Sequence, residues 1–423
     1  MKALGIIAEY NPFHNGHAWH VQQAKTVSGC HGVIAVMSGQ FLQRGEPASF
    51  DKWRRAKMAV LGGVDLVIEL PAAFAVRSAQ YFAEGGIRLL DALGIVSHLS
   101  FGAECDNLHY LQVAANSASD EKMISQLISN MKQGYTYAKA FSHSVGAATG
   151  LGHTMLSSPN NILAIEYLRG IRKFAPHIVP VVIKRRSSNY HDKYIENEFA
   201  SATAIRKTLE EAGCINKPLT RSIPISTAEI LQDALAHGYG PVQFESLASP
   251  LLYLLRTLPV NELEQIPGVS EGLQFKVAAS ALKASSITDL LGCLKSKRYT
   301  ATRLQRMLIH ILLGTKKQDM NLWINSGPLY ARILAFNDCG RDMLKEIQNK
   351  SALTVITKTA AILNTRKLNS SNMTSLEKML ALDIKASDIY ALAIPNPCLR
   401  FGGWDFLNSP EYILGAAGSE CRA

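Results

Sequence analysis

Five short apolar runs alternate with stretches of helical spacing through the first half of the chain. This alternation limits the fold more than any other feature. The runs lie at about residues 2–8, 32–37, 64–70, 98–101 and 178–183, and helix-like stretches fall near 16–27, 51–62, 78–93, 120–132 and 161–174. Strands too short to pack alone, separated by helices, assemble into a parallel sheet with helices on its faces. Such sheets bind ligands beyond the carboxyl ends of their strands. The residues just past those ends are small or polar: Asn11, Ser38-Gly39-Gln40, Gly102-Ala103-Glu104 and Arg185-Arg186. Pro180, inside the fifth run, cannot donate to a ladder, so that run is either an edge strand or not a strand at all. From about residue 220 the character changes, and segments 226–237, 260–266, 271–295, 300–313 and 374–393 have helical spacing. The expected class is α/β, with a parallel-sheet domain over 1–220 and a mainly α-helical domain over 221–423.

The first apolar run feeds His14-Asn15-Gly16-His17 and then a helix-like stretch. A helix N-terminus offers unpaired N–H groups and a partial positive charge, which together favour a phosphate. Gly16 has no side chain to block its approach. His14 and His17, three apart, can face one ligand across the first turn. Imidazoles donate hydrogen bonds to a phosphate whose charge grows during transfer. Among twelve histidines an isolated H-x-G-H can arise by chance; its place after the first strand, in a tight loop, argues for function.

With 47% hydrophobic residues the chain can bury ample core. No apolar run reaches the roughly 18 residues of a membrane span, and no basic, apolar, small-residue signal layout opens the chain. A cytoplasmic location and no membrane partner are expected. The seven cysteines stand singly, without C-x-x-C, which argues against a disulfide framework or a structural zinc site. The formal charge of +10 favours a polyanionic partner. From Lys295 to Lys317 there are seven basic residues and no acidic one, a pattern suited to a phosphate backbone or to a solvated helix face. There is no P-loop, G-x-x-x-x-G-K-[ST].

H-x-G-H after a first strand, followed by Ser201-Ala202-Thr203-Ala204-Ile205-Arg206, resembles the Rossmann-like nucleotidyltransferase superfamily. A closer resemblance covers nearly the whole chain. Its segments are residues 9–17, 37–48 and 64–71, Ser158-Pro159-Asn160-Asn161-Ile162-Leu163, Tyr190-His191-Asp192 and residues 297–306. They resemble the bacterial tRNA(Met) cytidine acetate ligases. The resemblance implies that acetate is activated with ATP as acetyl-adenylate and passed to the exocyclic amine of the wobble cytidine of elongator tRNA(Met). It implies ATP, with Mg2+ brought by the nucleotide and no protein metal ligand assigned.

His14 and His17 are the expected catalytic pair, on the α- and β-phosphates. The expected ATP-binding segment comprises Ile7, Ala8, Glu9, Tyr10, Asn11, Pro12, Phe13, His14, Asn15, Gly16, His17 and His20, although His20 also reads, with His98, His153 and His310, as structural. Gly102 would admit base or ribose, or simply make a turn. Asn160 or Asn161 would contact the nucleotide or cap a helix. Arg185, with Arg186 as alternate, suits a phosphate or the adenine edge. Ser201, Thr203 and Arg206 would cradle the β- and γ-phosphates. Residues 38–48, with Arg44 and Glu46, read as a mobile cover over the acceptor site, or as an ordinary loop. Arg54, Arg55, Lys297, Arg298, Arg303 and Arg306 are candidate tRNA contacts, and Trp53 either stacks on a base or packs in the core. Two other functions fit less well: adenylylation of a small metabolite, against which the helical region and basic stretch speak, and RNA binding without catalysis, against which His14, His17 and Arg206 speak.

Overall fold

The computed structural model describes residues 1–118, 120–135, 137–186, 195, 198–270, 272–296, 299–368 and 370–415. Tyr190-His191-Asp192, Lys297 and Arg298 lie outside them. Among the described residues one sheet runs in the order β5-β4-β1-β2-β3-β6-β7, with β8 also paired to β6. The strands are β1 Ala3–Ala8, β2 Gly32–Ser38, β3 Leu66–Leu70, β4 Val96–Ala103, β5 Val179–Lys184, β6 Tyr330–Phe336, β7 Thr354–Ile356 and β8 Glu411–Tyr412. The first five pair with one another in parallel. β2 and β3 are buried along their whole length, as expected of strands covered by helices on both faces. Pro180 does lie in the edge strand, β5.

The second half of the chain is not helical throughout. β6 returns antiparallel to β3 and, with β7 and β8, extends the sheet. No strand is expected there from the sequence, because Arg332 interrupts an otherwise apolar run. That charge is tolerated because Glu69 and Asp405 neutralise it in the interior.

The helices that matter here are α1 Asn15–Ser28, α2 Lys52–Leu61, α3 Ala79–Ala92, α4 Pro159–Phe174, α5 Ala202–Ala212, α6 Ala301–Leu313 and α7 Ser375–Ala391. The pairs α3 with α4 and α4 with β4 pack closely. β1 has β2 on one side and β4 on the other, so the crossover direction reverses at its carboxyl end. That is where a doubly wound sheet opens a crevice.

Candidate active site

β1 ends at Ala8, and the chain turns through residues 9–14 into α1. Tyr10 takes a left-handed φ of 48°, a conformation that costs a non-glycine residue energy and clusters at functional turns. His14 is the N-cap of α1: its Nδ1 accepts the Gly16 N–H at 3.0 Å, and His17 Nδ1 accepts the His14 N–H at 3.3 Å. The two rings stack with centroids 3.7 Å apart. Because each Nδ1 is an acceptor, each neutral imidazole carries its proton on Nε2. Glycine at 16 is required by this packing, since a Cβ there would stand 2.9 Å from His14 Cε1.

A cavity of about 280 Å³ opens beside this turn. Burial, then the charges of Arg185 and Arg206, push the His14 pKa down to about 3. Burial also holds His17 well below its ordinary value, with His14, Arg185 and His20 adding to the effect. Burial and Arg185 take His20 down to about 4. Near neutral pH the cavity therefore offers uncharged imidazole donors, and its fixed positive charge comes from arginines.

Of the expected nucleotide residues, Ile7, Ala8, Glu9, Tyr10, Asn11, His14, Gly16, His17, His20, Gly102, Asn160, Arg185, Arg186 and Arg206 all line this cavity. His20 hydrogen-bonds Ser100 Oγ at 2.9 Å. Gly102 lies beside Arg185, whose Cγ a Cβ there would meet at 3.2 Å. Arg186 stacks over Trp19, 4.8 Å from the ring centre. Arg206 donates to the Asn11 carbonyl at 2.9 Å, which ties the start of α5 to the turn after β1.

Other expected residues are placed differently. Pro12 is buried in the bend, and Phe13 is buried against Tyr10 and His17. The Asn15 amide donates to the carbonyls of Glu198 and Arg221, at 3.2 and 2.8 Å. Between the two asparagines, Asn160 faces the cavity while Asn161 is buried, accepting from Cys105 N and donating to the Met155 carbonyl. Ser201 caps α5 through the Ala204 N–H, and Thr203 is exposed and accepts from Arg206 at 3.4 Å. Thr203 thus supports Arg206, and neither residue lines the cavity. His98 lies beside Cys30 and Ser97, and buried His310 bonds the Val76 carbonyl. The His153 side chain lies outside the described residues.

Of the basic candidates, one needs correction. Arg55 is fully buried, and its guanidinium donates to the carbonyls of Phe50, Glu9, Ser38 and Gly39. It holds the strand ends together and cannot meet RNA. Trp53 is buried against Trp404, so the core reading of that residue stands. Arg54 pairs with Asp51 and lies 3.4 Å over the Tyr239 ring. Arg303 stacks on Tyr299 and bonds Ser270. Arg306 donates to the Gln43 carbonyl at 3.1 Å, and burial, with Arg303, Arg77 and Arg44 nearby, brings its pKa down to about 10.

The hairpin of residues 40–48 is tied down. Leu42 N–H bonds the Glu46 carbonyl, Ala48 N–H the Gln40 carbonyl, and Gln43 N–H the Glu9 carboxylate at 2.8 Å. From α6, the Gln305 amide reaches Glu46 at 3.1 Å. Gly45 has φ 81°, and a Cβ there would stand 2.2 Å from Arg306 N. Sequence reasoning missed Trp19, Gln43, Phe101, Tyr167 and Lys184 in the cavity wall. Only their places past strand ends and on α1 and α4 could have signalled them. Among the described residues no group of three His, Cys, Asp or Glu side chains could hold a metal ion, and no helix is long and apolar enough to cross a membrane.

A model of the HIGH Nucleotidyl Transferase family matches residues 1–402. The tRNA(Met) cytidine acetate ligase of Thermoanaerobacter sp. (strain X514) is 42% identical over 413 residues, 96% of this chain and 99% of the relative. That of Halothermothrix orenii (strain H 168 / OCM 544 / DSM 9562) is 38% identical over 419 residues, 96% and 98% of the two chains. The crystal structure of Thermotoga maritima TmcAL in its apo form I superposes with a TM-score of 0.90 at 33% identity, covering 98% of this chain and all of that one. The same protein bound with alpha-thio ATP gives a TM-score of 0.88 at 32% identity, again over 98% and 100% of the chains.

Proposed function

Because the chain belongs to the HIGH nucleotidyl transferase family and, within it, to the tRNA(Met) cytidine acetate ligases, we propose that it acetylates the N4 amine of the wobble cytidine in elongator tRNA(Met), using acetate and ATP. The observation that carries the reading is the stacked, neutral His14–His17 pair at the mouth of α1, facing a cavity at the reversal point of the sheet.

In the first step an acetate oxygen attacks the α-phosphorus, the bond to the bridging oxygen breaks, and pyrophosphate leaves with the electron pair. Charge builds on the oxygens around the α-phosphorus and on the departing group. The Nε2–H donors of His14 and His17, the α1 N-terminus, Arg185 and Arg206 would meet it. Ile7, Ala8 and Gly102 let the adenosine approach backbone, and Asn160 offers a polar contact at the rim. Mg2+ would arrive on the triphosphate, since among the described residues the one acidic side chain lining the cavity, Glu9, already accepts from Gln43. In the second step the cytidine N4 attacks the acetyl carbon and AMP departs. ATP and tRNA as substrates make the cytoplasm the proposed location.

The test incubates the protein with ATP, labelled acetate and total tRNA, then digests the RNA to nucleosides. Label in N4-acetylcytidine from tRNA(Met) is the expected result. Acetate-dependent pyrophosphate release with no labelled nucleoside would overturn the tRNA assignment.

A further inference from the structure

The cavity beside His14 accounts for the nucleotide and leaves the acceptor base without a place. A second cavity of about 350 Å³ adjoins it. Two features divide the pair. Arg206 lines both, and the hairpin of residues 40–48 turns Gln43 and Arg44 toward the nucleotide side and Glu46 and Pro47 toward the other. The far wall of the second cavity comes from the helical region, with Gln243, Phe244, Leu291 and Gln305. One end of α6 thus supports the hairpin while its basic residues Arg303 and Arg306 lie alongside.

We propose that this second cavity receives the acceptor cytosine, with Glu46 taking the hydrogen bond of its exocyclic amine. The inference rests on the acceptor being a cytidine, as argued above. A cytosine edge presents a two-proton donor at N4 and acceptors at N3 and O2. Glu46 is half-buried, and among the described residues its Oε1 accepts from the Gln305 amide while no hydrogen bond reaches its Oε2. A carboxylate oxygen is the strongest neutral-pH acceptor for N4–H. The Gln243 amide can donate to N3 or O2, and the half-buried Phe244 ring offers a face on which an extruded base stacks. Two other acids line this cavity: Glu245 is occupied by the N–H groups of Ile287 and Thr288, and burial raises the pKa of Glu210, which makes it the weaker anionic acceptor. When N4 bonds to the acetyl carbon, the carbon–oxygen bond to AMP breaks and AMP keeps its electron pair. The proton lost from N4 passes to the Glu46 carboxylate and on to water.

The experiment separates the two half-reactions in the full-length protein. Leu291→Trp fills the cavity from the wall that the helical region supplies, and Glu46→Gln removes the charged acceptor. Acetate-dependent ATP–pyrophosphate exchange should stay within about twofold of wild type in Leu291→Trp. Acetylation of tRNA(Met) should fall by about tenfold or more in both variants, the loss expected when a hydrogen bond to a charged group goes. Acetylation at wild-type rates in both variants overturns the proposal. So does an equal fall of exchange and acetylation in Leu291→Trp, because the cavity would then serve the adenylation site. If wild-type protein itself shows no exchange and no N4-acetylcytidine, the functional reading fails instead, whatever the variants do.

Discussion

His14 has two tasks that substitutions can separate. As N-cap it satisfies an N–H of α1, and as Nε2 donor it faces the cavity. His14→Asn keeps a good cap and removes the donor, so thermal stability should stay near wild type while ATP–pyrophosphate exchange falls on the order of a hundredfold. His14→Ala should lose the same activity and also about 1 kcal/mol of stability, read by chemical denaturation. His17→Ala should abolish exchange to a similar degree. Near-normal exchange in any of the three would remove the imidazoles from the mechanism. The same burial sets a pH dependence. His14, His20 and His310 have folded values of about 3, 4 and 3, below the ordinary 6.5, and His17 is lowered as well. The unfolded chain therefore binds protons that the folded one refuses. Stability is whole above about pH 6.5 and declines as pH falls toward 3, by up to about 1.4 kcal/mol per pH unit for each group titrating only in the unfolded state. A denaturant midpoint that stays flat from pH 7 to 4.5 would contradict this. The H-x-G-H pair was legible in the sequence because its neighbours in space are its neighbours in the chain. The choice between Asn160 and Asn161 was not, since it depends on which side chain Cys105 and Met155 enclose.

At the scale of elements, the hairpin of residues 40–48 depends on one glycine. Gly45→Ala would put a methyl group against the backbone of α6 at a left-handed φ, and should cost about 2 kcal/mol, measured as a lowered denaturation midpoint with reduced tRNA acetylation. The interior beside it is ionic: Lys52 Nζ lies 2.8 Å from both Glu69 and Asp405, and Arg332 pairs with the same two carboxylates. Lys52→Met would remove one charge from a dry cluster and should cost roughly 3–5 kcal/mol. The parallel strands were readable because each is a continuous apolar run bounded by turns. Helix α2 was half-readable. Its basic residues suggested an outward face, yet Lys52 and Arg55 turn inward to carboxylates and carbonyls contributed by distant segments, and no local pattern records such partners. β6 was missed for the same reason, its Arg332 being compensated only in three dimensions.

Over the whole molecule, the charge of +10 predicts that tRNA affinity weakens steeply with salt, along a straight line in logarithmic coordinates. Exchange of ATP with pyrophosphate, which needs no RNA, should change far less between 50 and 200 mM salt. Equal salt sensitivity of the two would argue that the basic surface serves the nucleotide alone. A fragment ending at residue 220 should be poorly soluble, because it leaves the edge of β3 without its partner β6; a monodisperse, soluble fragment would contradict the importance of that pairing.

The antiparallel join of β3 to β6 also sets a timetable for synthesis. A ribosome adding about 5–20 residues per second completes Leu70 on the order of 10–50 seconds before Phe336 emerges. Throughout that interval the nascent half-sheet carries an open seam, which any other growing chain of the same kind could occupy. Polysomes, where many copies are born side by side, are where that seam is most exposed to mispairing, and a binder that shields it until the later strand arrives would raise the yield of native protein.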